Sequence, residues 1–145
     1  MAHDDIGSIL ERFRRAWEQQ DVKALSACYA DDCIVVSPLF STLNGRRAVE
    51  KSFTDLFKAF ETQQITVQDM VIGNDEPQRA AVLWKLQSTH VGEVFGLPPS
   101  GKRIERTIAY MLTFKDGLIT KETRIYDFTS MLMQLGALKA KPVHG

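Results

Sequence analysis

The chain has 145 residues, 44% hydrophobic and 25% charged, with 18 Lys plus Arg balancing 18 Asp plus Glu. That length gives one domain with a real core and excludes two, and the charge balance carries no nucleic-acid footprint. No apolar run is long enough to span a membrane and the start from Met1 to Asp5 is polar and acidic, so the expectation is a cytoplasmic protein without membrane or nucleic-acid partners.

Asp4 or Asp5 can cap a first helix whose Ile6, Ile9, Leu10, Phe13 and Trp17 form one apolar stripe. Asp21 caps a shorter second helix with Val22, Leu25, Cys28 and Tyr29 on its buried side. Cys33 to Ser37 reads as a short strand, and Pro38 ends it because proline has no N–H for the ladder. After the Asn44-Gly45 turn, Val49, Phe53, Leu56, Phe57 and Phe60 make a third amphipathic helix. Ile65 to Ile72 is a strand, closed by the turn from Gly73 to Pro77.

Arg79 to Val91 is a long strand with Val82, Trp84, Leu86, Ser88 and His90 on one face. Lys102 to Lys115 is another, with Ile104, Arg106, Ile108, Tyr110, Leu112 and Phe114 on one face. Asp116-Gly117 makes a hairpin into a strand from Leu118 to Tyr126. Phe128, Met131, Leu132 and Leu135 then recur at helical spacing, and Gly136 ends that helix. Helices followed by a meander of strands give an α+β fold with helices on one face of an antiparallel sheet. The domain runs over 1–138, with a loose tail over 139–145.

Asp127 stands at the joint between the last strand and the last helix. Thr123, Ile125 and Asp127 share one face of that strand, while Glu122, Arg124 and Tyr126 share the other. If the first face is the inner one, Asp127 is a carboxylate facing an apolar cavity; otherwise it simply caps the helix. The loop Gly96-Leu97-Pro98-Pro99-Ser100-Gly101-Lys102 has Arg103 where a phosphate-binding loop needs Ser or Thr, and it enters a strand. It reads as a stiff rim or a proline-braced connection. Cys28 and Cys33 form no metal or redox motif and are expected as free thiols, and His3, His90 and His144 are scattered, so no metal or cofactor is expected.

The element order resembles the nuclear-transport-factor-2-like cone. Residues 88–136 more specifically resemble the SnoaL-like polyketide cyclases, through Thr89-His90-x-Gly92, the 96–102 loop, Lys115-Asp116-Gly117-x-Ile119, and Asp127 ahead of Gln134-Leu135-Gly136. The resemblance implies a curved sheet enclosing a pocket for a small hydrophobic carbonyl compound. It further implies Asp127 as general acid/base in a cofactor-independent cyclase, isomerase or lyase, with His90 as a second proton-handling or orienting group. A non-catalytic binding protein of the same fold is the alternative. Ketosteroid isomerases share the cone, but their tyrosine, base and oxyanion-hole aspartate align with Phe13, Ser37 and Tyr110, so that machinery is missing here.

Tyr110 is a possible donor to the carbonyl, and Trp84, Ile125 and Met131 are candidate lining residues, equally good as plain core. Arg106 shares the Tyr110 face. A mouth-level arginine in solvent is its plainest reading; a buried one would need Asp127 or Asp69 as partner, and an Arg106–Asp127 pair would point to water activation, as in the epoxide hydrolases of this fold, or to simple anion binding. On the opposite, convex face Ala81, Leu83, Val91, Ala109 and Met111 form an apolar patch, from which a homodimer is expected.

Overall fold

The structure, a computed structural model, describes residues 5–139. Asp5 caps α1 (Ile6–Glu18), its carboxylate accepting from the Ser8 N–H at 2.9 Å. The helix buries Ile6, Ile9, Leu10, Phe13, Ala16 and Trp17 along one stripe. Asp21 caps α2 (Val22–Ser26) in the same way, through the Ala24 N–H at 3.0 Å. This helix is shorter than its apolar spacing suggested. Tyr29, expected on its buried side, instead opens β1 (Tyr29–Ser37).

Pro38 ends β1 as expected, but the chain folds straight back into an edge strand, β2 (Ser41–Asn44). At this turn the Ser37 hydroxyl accepts from the Phe40 N–H at 3.0 Å. Helix α3 (Arg46–Ala59) follows, with Val49, Ser52, Phe53, Leu56 and Ala59 buried. Phe60, expected in that helix, has extended backbone and begins β3 (Phe60–Gly73). The meander continues through β4 (Gln78–His90), β5 (Arg103–Lys115) and β6 (Leu118–Ile125) to α4 (Phe128–Leu135).

The six strands lie in the order β2-β1-β6-β5-β4-β3, antiparallel except for the parallel β1–β6 pair. The curved sheet and the helices on its concave face form a nuclear-transport-factor-2-like cone. The inward faces of β4 and β5 are those the alternation predicted: Val82, Trp84, Leu86, Ser88 and His90 are buried, as are Ile104, Arg106, Ile108, Tyr110, Leu112 and Phe114. Trp17, Phe13, Tyr29, Phe53, Trp84 and Tyr110 meet there in edge-on and tilted ring contacts with centroids 4.7–6.2 Å apart. Fully burying each such ring contributes on the order of 1.5–3 kcal/mol.

On β6 the inner face is the opposite of the one that would direct Asp127 inward. From the hairpin, Lys115 pairs with Leu118 and Phe114 with Ile119, but Thr113 then pairs with Lys121. Thr120 is therefore an extra residue, a β-bulge, and its hydroxyl donates to the Thr113 carbonyl at 3.2 Å. One added residue exchanges the two faces of everything beyond it. Tyr110 consequently pairs with Arg124 and Leu112 with Glu122. Glu122 and Arg124 are 0% and 6% exposed, whereas Ile125, expected to line the cavity, is 56% exposed on the outer face.

Among the described residues no helix is long and apolar enough to cross a membrane. Cys28 and Cys33 are buried and unbridged. The outermost part of the tail, and with it His144, lies outside the described residues, as do His3 and Asp4.

Candidate functional site

The cone holds a narrow polar cleft beneath an apolar mouth. The cleft lies against β5 and β6, where Arg106, Tyr110, Arg124 and Tyr126 meet Trp17 from α1 and Ser37 from the end of β1. Leu39, Phe40 and Leu56 roof it, and the same three residues floor a neighbouring cavity of about 330 Å³. Ala59, Phe60, Val94 and Phe95 line that outer cavity together with the carboxylates Asp55 and Glu93. The inner cleft as it stands has room for about one water. The Ser37–Phe40 turn carries the roof, so Pro38 and the Ser37 hydroxyl together position it.

Arg124 in the cleft wall and Glu122 behind it neutralise each other. Arg124 Nε donates to Glu122 Oε2 in a short ion pair, and Tyr29 donates its hydroxyl to the other Glu122 oxygen at 2.5 Å. The Arg124 guanidinium also stacks over Phe53 and Trp17, at 5.1 and 5.7 Å. Burial opposes its charge, but the adjacent Glu122 carboxylate outweighs burial and holds it firmly protonated. Burial, reinforced by Glu122, pushes the Tyr29 phenol well above its ordinary range.

Arg106 is different. It is 7% exposed, so the solvent-facing reading of this residue is corrected, and neither carboxylate expected to pair with it does so. Asp69 is exposed and accepts from the Met70 N–H at 2.8 Å, while Asp127 accepts from the Ser130 N–H. Arg106 instead lies over the Tyr126 ring at 4.9 Å, with Nη1 3.8 Å from the Met131 sulfur. Burial lowers its pKa, and the neighbouring phenol groups of Tyr126 and Tyr110 only partly oppose that. Burial likewise raises the pKa of Tyr110, which keeps its hydroxyl neutral.

Four side chains of this wall carry buried polar atoms without a partner among the described residues: Trp17 Nε1, Tyr110 Oη, Arg106 Nε and Arg124 Nη2. Buried donors are normally satisfied, and leaving one bare costs about 1–3 kcal/mol. A cluster of them around one cleft is an arrangement suited to an oxygen-bearing ligand.

Of the residues expected at the site, the cleft gathers Arg106 and Tyr110, with Met131 fully buried beneath Arg106. Trp84 is buried behind Tyr110, 4.7 Å between ring centroids, and belongs to the core. His90 is fully buried but lies outside the cleft lining, its ring 5.5 Å from Phe60. His90 Nδ1 accepts from the Ser100 N–H at 3.2 Å and contacts the Ser100 hydroxyl at 2.8 Å, which places the ring proton on Nε2. His90 thus ties down the loop that follows it. Gly92 seats the same loop on α3, where a Cβ would come 2.1 Å from the Lys58 carbonyl oxygen. Asp127 caps α4 at 2.8 Å from the Ser130 N–H, exposed beside a surface hollow shared with Glu105, Arg106 and Thr107. Trp17, Ser37, Arg124 and Tyr126 were missed; the signal available was Glu122 and Arg124 two apart on a strand, opposite charges sharing a face. Among the described residues no group of three His, Cys, Asp or Glu side chains is placed to hold a metal ion.

Residues 8–135 match the SnoaL-like polyketide cyclase family. The chain belongs to that family. Among solved structures, AclR of Streptomyces galilaeus, described as a proposed hydroxylase, is 24% identical over 94% of this chain and 87% of its own, with a TM-score of 0.78. IdmH of Streptomyces antibioticus, a proposed polyketide cyclase, is 25% identical over 90% and 97%, with a TM-score of 0.74. A proposed SnoaL-like polyketide cyclase from Jannaschia sp. CCS1 is 15% identical over 96% and 99%, with a TM-score of 0.77. No curated protein matches the chain. The SnoaL-like frame supports a small-molecule enzyme of cyclase type, and the Gln134-Leu135-Gly136 run that ends the terminal helix has a structural task here. Gln134 pairs through both amide atoms with the Glu105 backbone, at 2.8 and 2.9 Å, docking α4 on β5.

Proposed function

We propose that this SnoaL-like protein is a cofactor-independent cyclase or isomerase acting on a small hydrophobic carbonyl compound. The single observation that carries the reading is the cluster of unpartnered donors from Trp17, Arg106, Tyr110 and Arg124 at one buried cleft. The apolar mouth accommodates the body of the substrate and the donors receive its oxygen. Negative charge that develops on that oxygen during enolisation or ring closure is stabilised by Tyr110 and the two guanidiniums, in a site from which water is largely excluded. Asp127 is the proposed proton-transfer carboxylate, and that role requires the β6–α4 joint to turn it inward from its present capping position. His90 is assigned to holding the loop at the mouth.

A screen of hydrophobic enolisable ketones, read by thermal shift and by product formation, tests this reading. Removal of one oxyanion donor by Tyr110→Phe is expected to lower turnover about 10²–10³-fold. Unchanged turnover in that variant would remove Tyr110 from the mechanism. A second reading, a binding protein without turnover, is favoured by the absence of any carboxylate or imidazole from the cleft lining. Ligands that stabilise the fold and emerge unchanged would establish it.

The partner we propose is a second copy, docked through the convex face. Val71, Ala81, Met111, Thr123 and Val36 stand in register in one row across five strands, with Leu83, Ala109 and Ile125 in the adjoining row. Val71, Met111 and Ile125 are 64%, 50% and 56% exposed. Such a continuous apolar surface marks an interface. Light scattering should give twice the 16.4 kDa chain mass, and a monomer mass would dispose of the dimer.

A further inference from the structure

We propose that the cleft takes its substrate as an anion, with Arg106 as the principal partner of the negative oxygen. The inference rests on the reading of the cleft as the substrate site and adds the charge state of what enters it. Three of the unpartnered atoms, on Trp17, Arg106 and Arg124, can only donate, and Tyr110 can donate as well. A ligand that satisfies them must present acceptors.

The charges around the cleft point the same way. Two guanidiniums, Arg106 and Arg124, are buried at the cleft, and the one buried carboxylate among the described residues, Glu122, has both oxygens engaged by Arg124 and Tyr29. The wall therefore retains one positive charge, and it belongs to Arg106. The groups in contact with Arg106 are the Met131 thioether and the Tyr126 ring, with the Tyr110 phenol and the Arg124 cation nearby, while Asp127 and Glu105 share an outer hollow with it and form no ion pair with it. A buried cation without an ion-pair partner is held at a cost that a bound anion would recover. The adjoining cavity is mostly apolar, with Asp55 and Glu93 also in its lining, so the matching ligand is a hydrophobic acid whose negative group is held at Arg106 and not in the mouth: an aromatic or polycyclic body bearing a carboxylate or an enolate already ionised in solution. A pre-ionised enolate also has a chemical consequence. Its carbon closes onto a carbonyl of the same molecule, the C=O π bond opens to an alkoxide, and that alkoxide takes a proton from water; no base is needed to generate the nucleophile, which agrees with a cleft lining that contains neither a carboxylate nor an imidazole.

Three ligands of similar bulk separate the possibilities: 2-naphthoate as a carboxylate, 2-acetylindane-1,3-dione as an enolate ionised at neutral pH, and 2-acetylnaphthalene as a neutral ketone. Their affinities are measured by tryptophan fluorescence, which reports on Trp17 in the wall. One charge-assisted hydrogen bond corresponds to roughly tenfold or more in affinity, so at least one anion should bind tighter than the ketone by that factor. Arg106→Met should abolish the preference while the melting temperature holds or rises, because a buried unpaired charge is removed. Arg106→Lys should retain part of it. Tighter binding of the neutral ketone would overturn the anion proposal and leave the carbonyl reading in place. Persistence of the preference in a folded Arg106→Met protein would also overturn it. Failure of all three ligands to bind would overturn both.

Discussion

Arg106 and Arg124 lie on adjacent strands of one concave face, both more than nine-tenths buried, yet their surroundings have little in common. Arg124 has a carboxylate beside it, that carboxylate has a phenol on its other oxygen, and two aromatic rings pack against the guanidinium. Arg106 has a thioether and a ring face. The difference teaches that buried charge in this core has two uses. The Arg124–Glu122–Tyr29 group is closed in charge, with only Arg124 Nη2 left over, and holds the sheet to the start of β1, whereas Arg106 has no counter-charge and is available to something that enters.

The sharpest way to break this comparison is to open the closed group. Glu122→Gln leaves Arg124 buried without its counter-ion, and losing one partner of a buried pair costs about 3–5 kcal/mol. Denaturant unfolding of this variant should show that loss, in contrast to Arg106→Met, which removes a charge that has no partner to strand. A loss below about 1 kcal/mol for Glu122→Gln would mean that the two arginines are not different in kind.

A smaller effect sharpens the role of the phenol between the two arginines. Burial raises the pKa of Tyr110, so the folded protein keeps the proton after the unfolded chain has begun to release it, near pH 10. The folded state then binds more protons than the unfolded state, and stability must fall as pH rises above that value. Each such phenol contributes a slope of up to about 1.4 kcal/mol per pH unit. Tyr110→Phe should therefore flatten the alkaline decline by about that amount per unit between pH 10 and 11. Buried Tyr29 contributes to the decline in the same direction and remains in the variant. An unchanged slope would mean that Tyr110 is solvated in solution.

The comparison also marks where sequence reasoning succeeds. Simple alternation on β4 and β5 identified the inner face, including Arg106 and Tyr110, because both strands keep period 2 through the cone. Gly92 stood out within the resembling motif, and its close approach to Lys58 supplies the reason. The faces of β6 were another matter. A bulge at Thr120 obeys no compositional rule, and its one extra residue places Arg124 rather than Ile125 inside. The cleft was illegible for a related reason. Its walls come from α1, the end of β1, β5 and β6, which only the closed cone brings together. β2 and the early start of β1 were hidden because Tyr29 fits a helical stripe as well as a strand, and tertiary packing decided between them.

The smallest expected change in stability tests the residue with the largest claim on chemistry. Asp127 sits on the outer side of the Thr120 bulge, and its carboxylate accepts from the Ser130 N–H to start α4. Asparagine caps a helix about as well as aspartate, while alanine in that position costs about 0.5–2 kcal/mol. Asp127→Asn should thus leave the unfolding midpoint nearly unchanged, and Asp127→Ala should lower it by an amount in that range. The pair of variants separates two roles in one residue, since the amide preserves the cap and cannot accept a proton as a carboxylate does. Should the Asn variant lose turnover on a carbonyl substrate while keeping its midpoint and ligand affinity, Asp127 must turn inward to take the proton. Should turnover persist, Asp127 is a cap, and the chemistry belongs to the donors around Arg106.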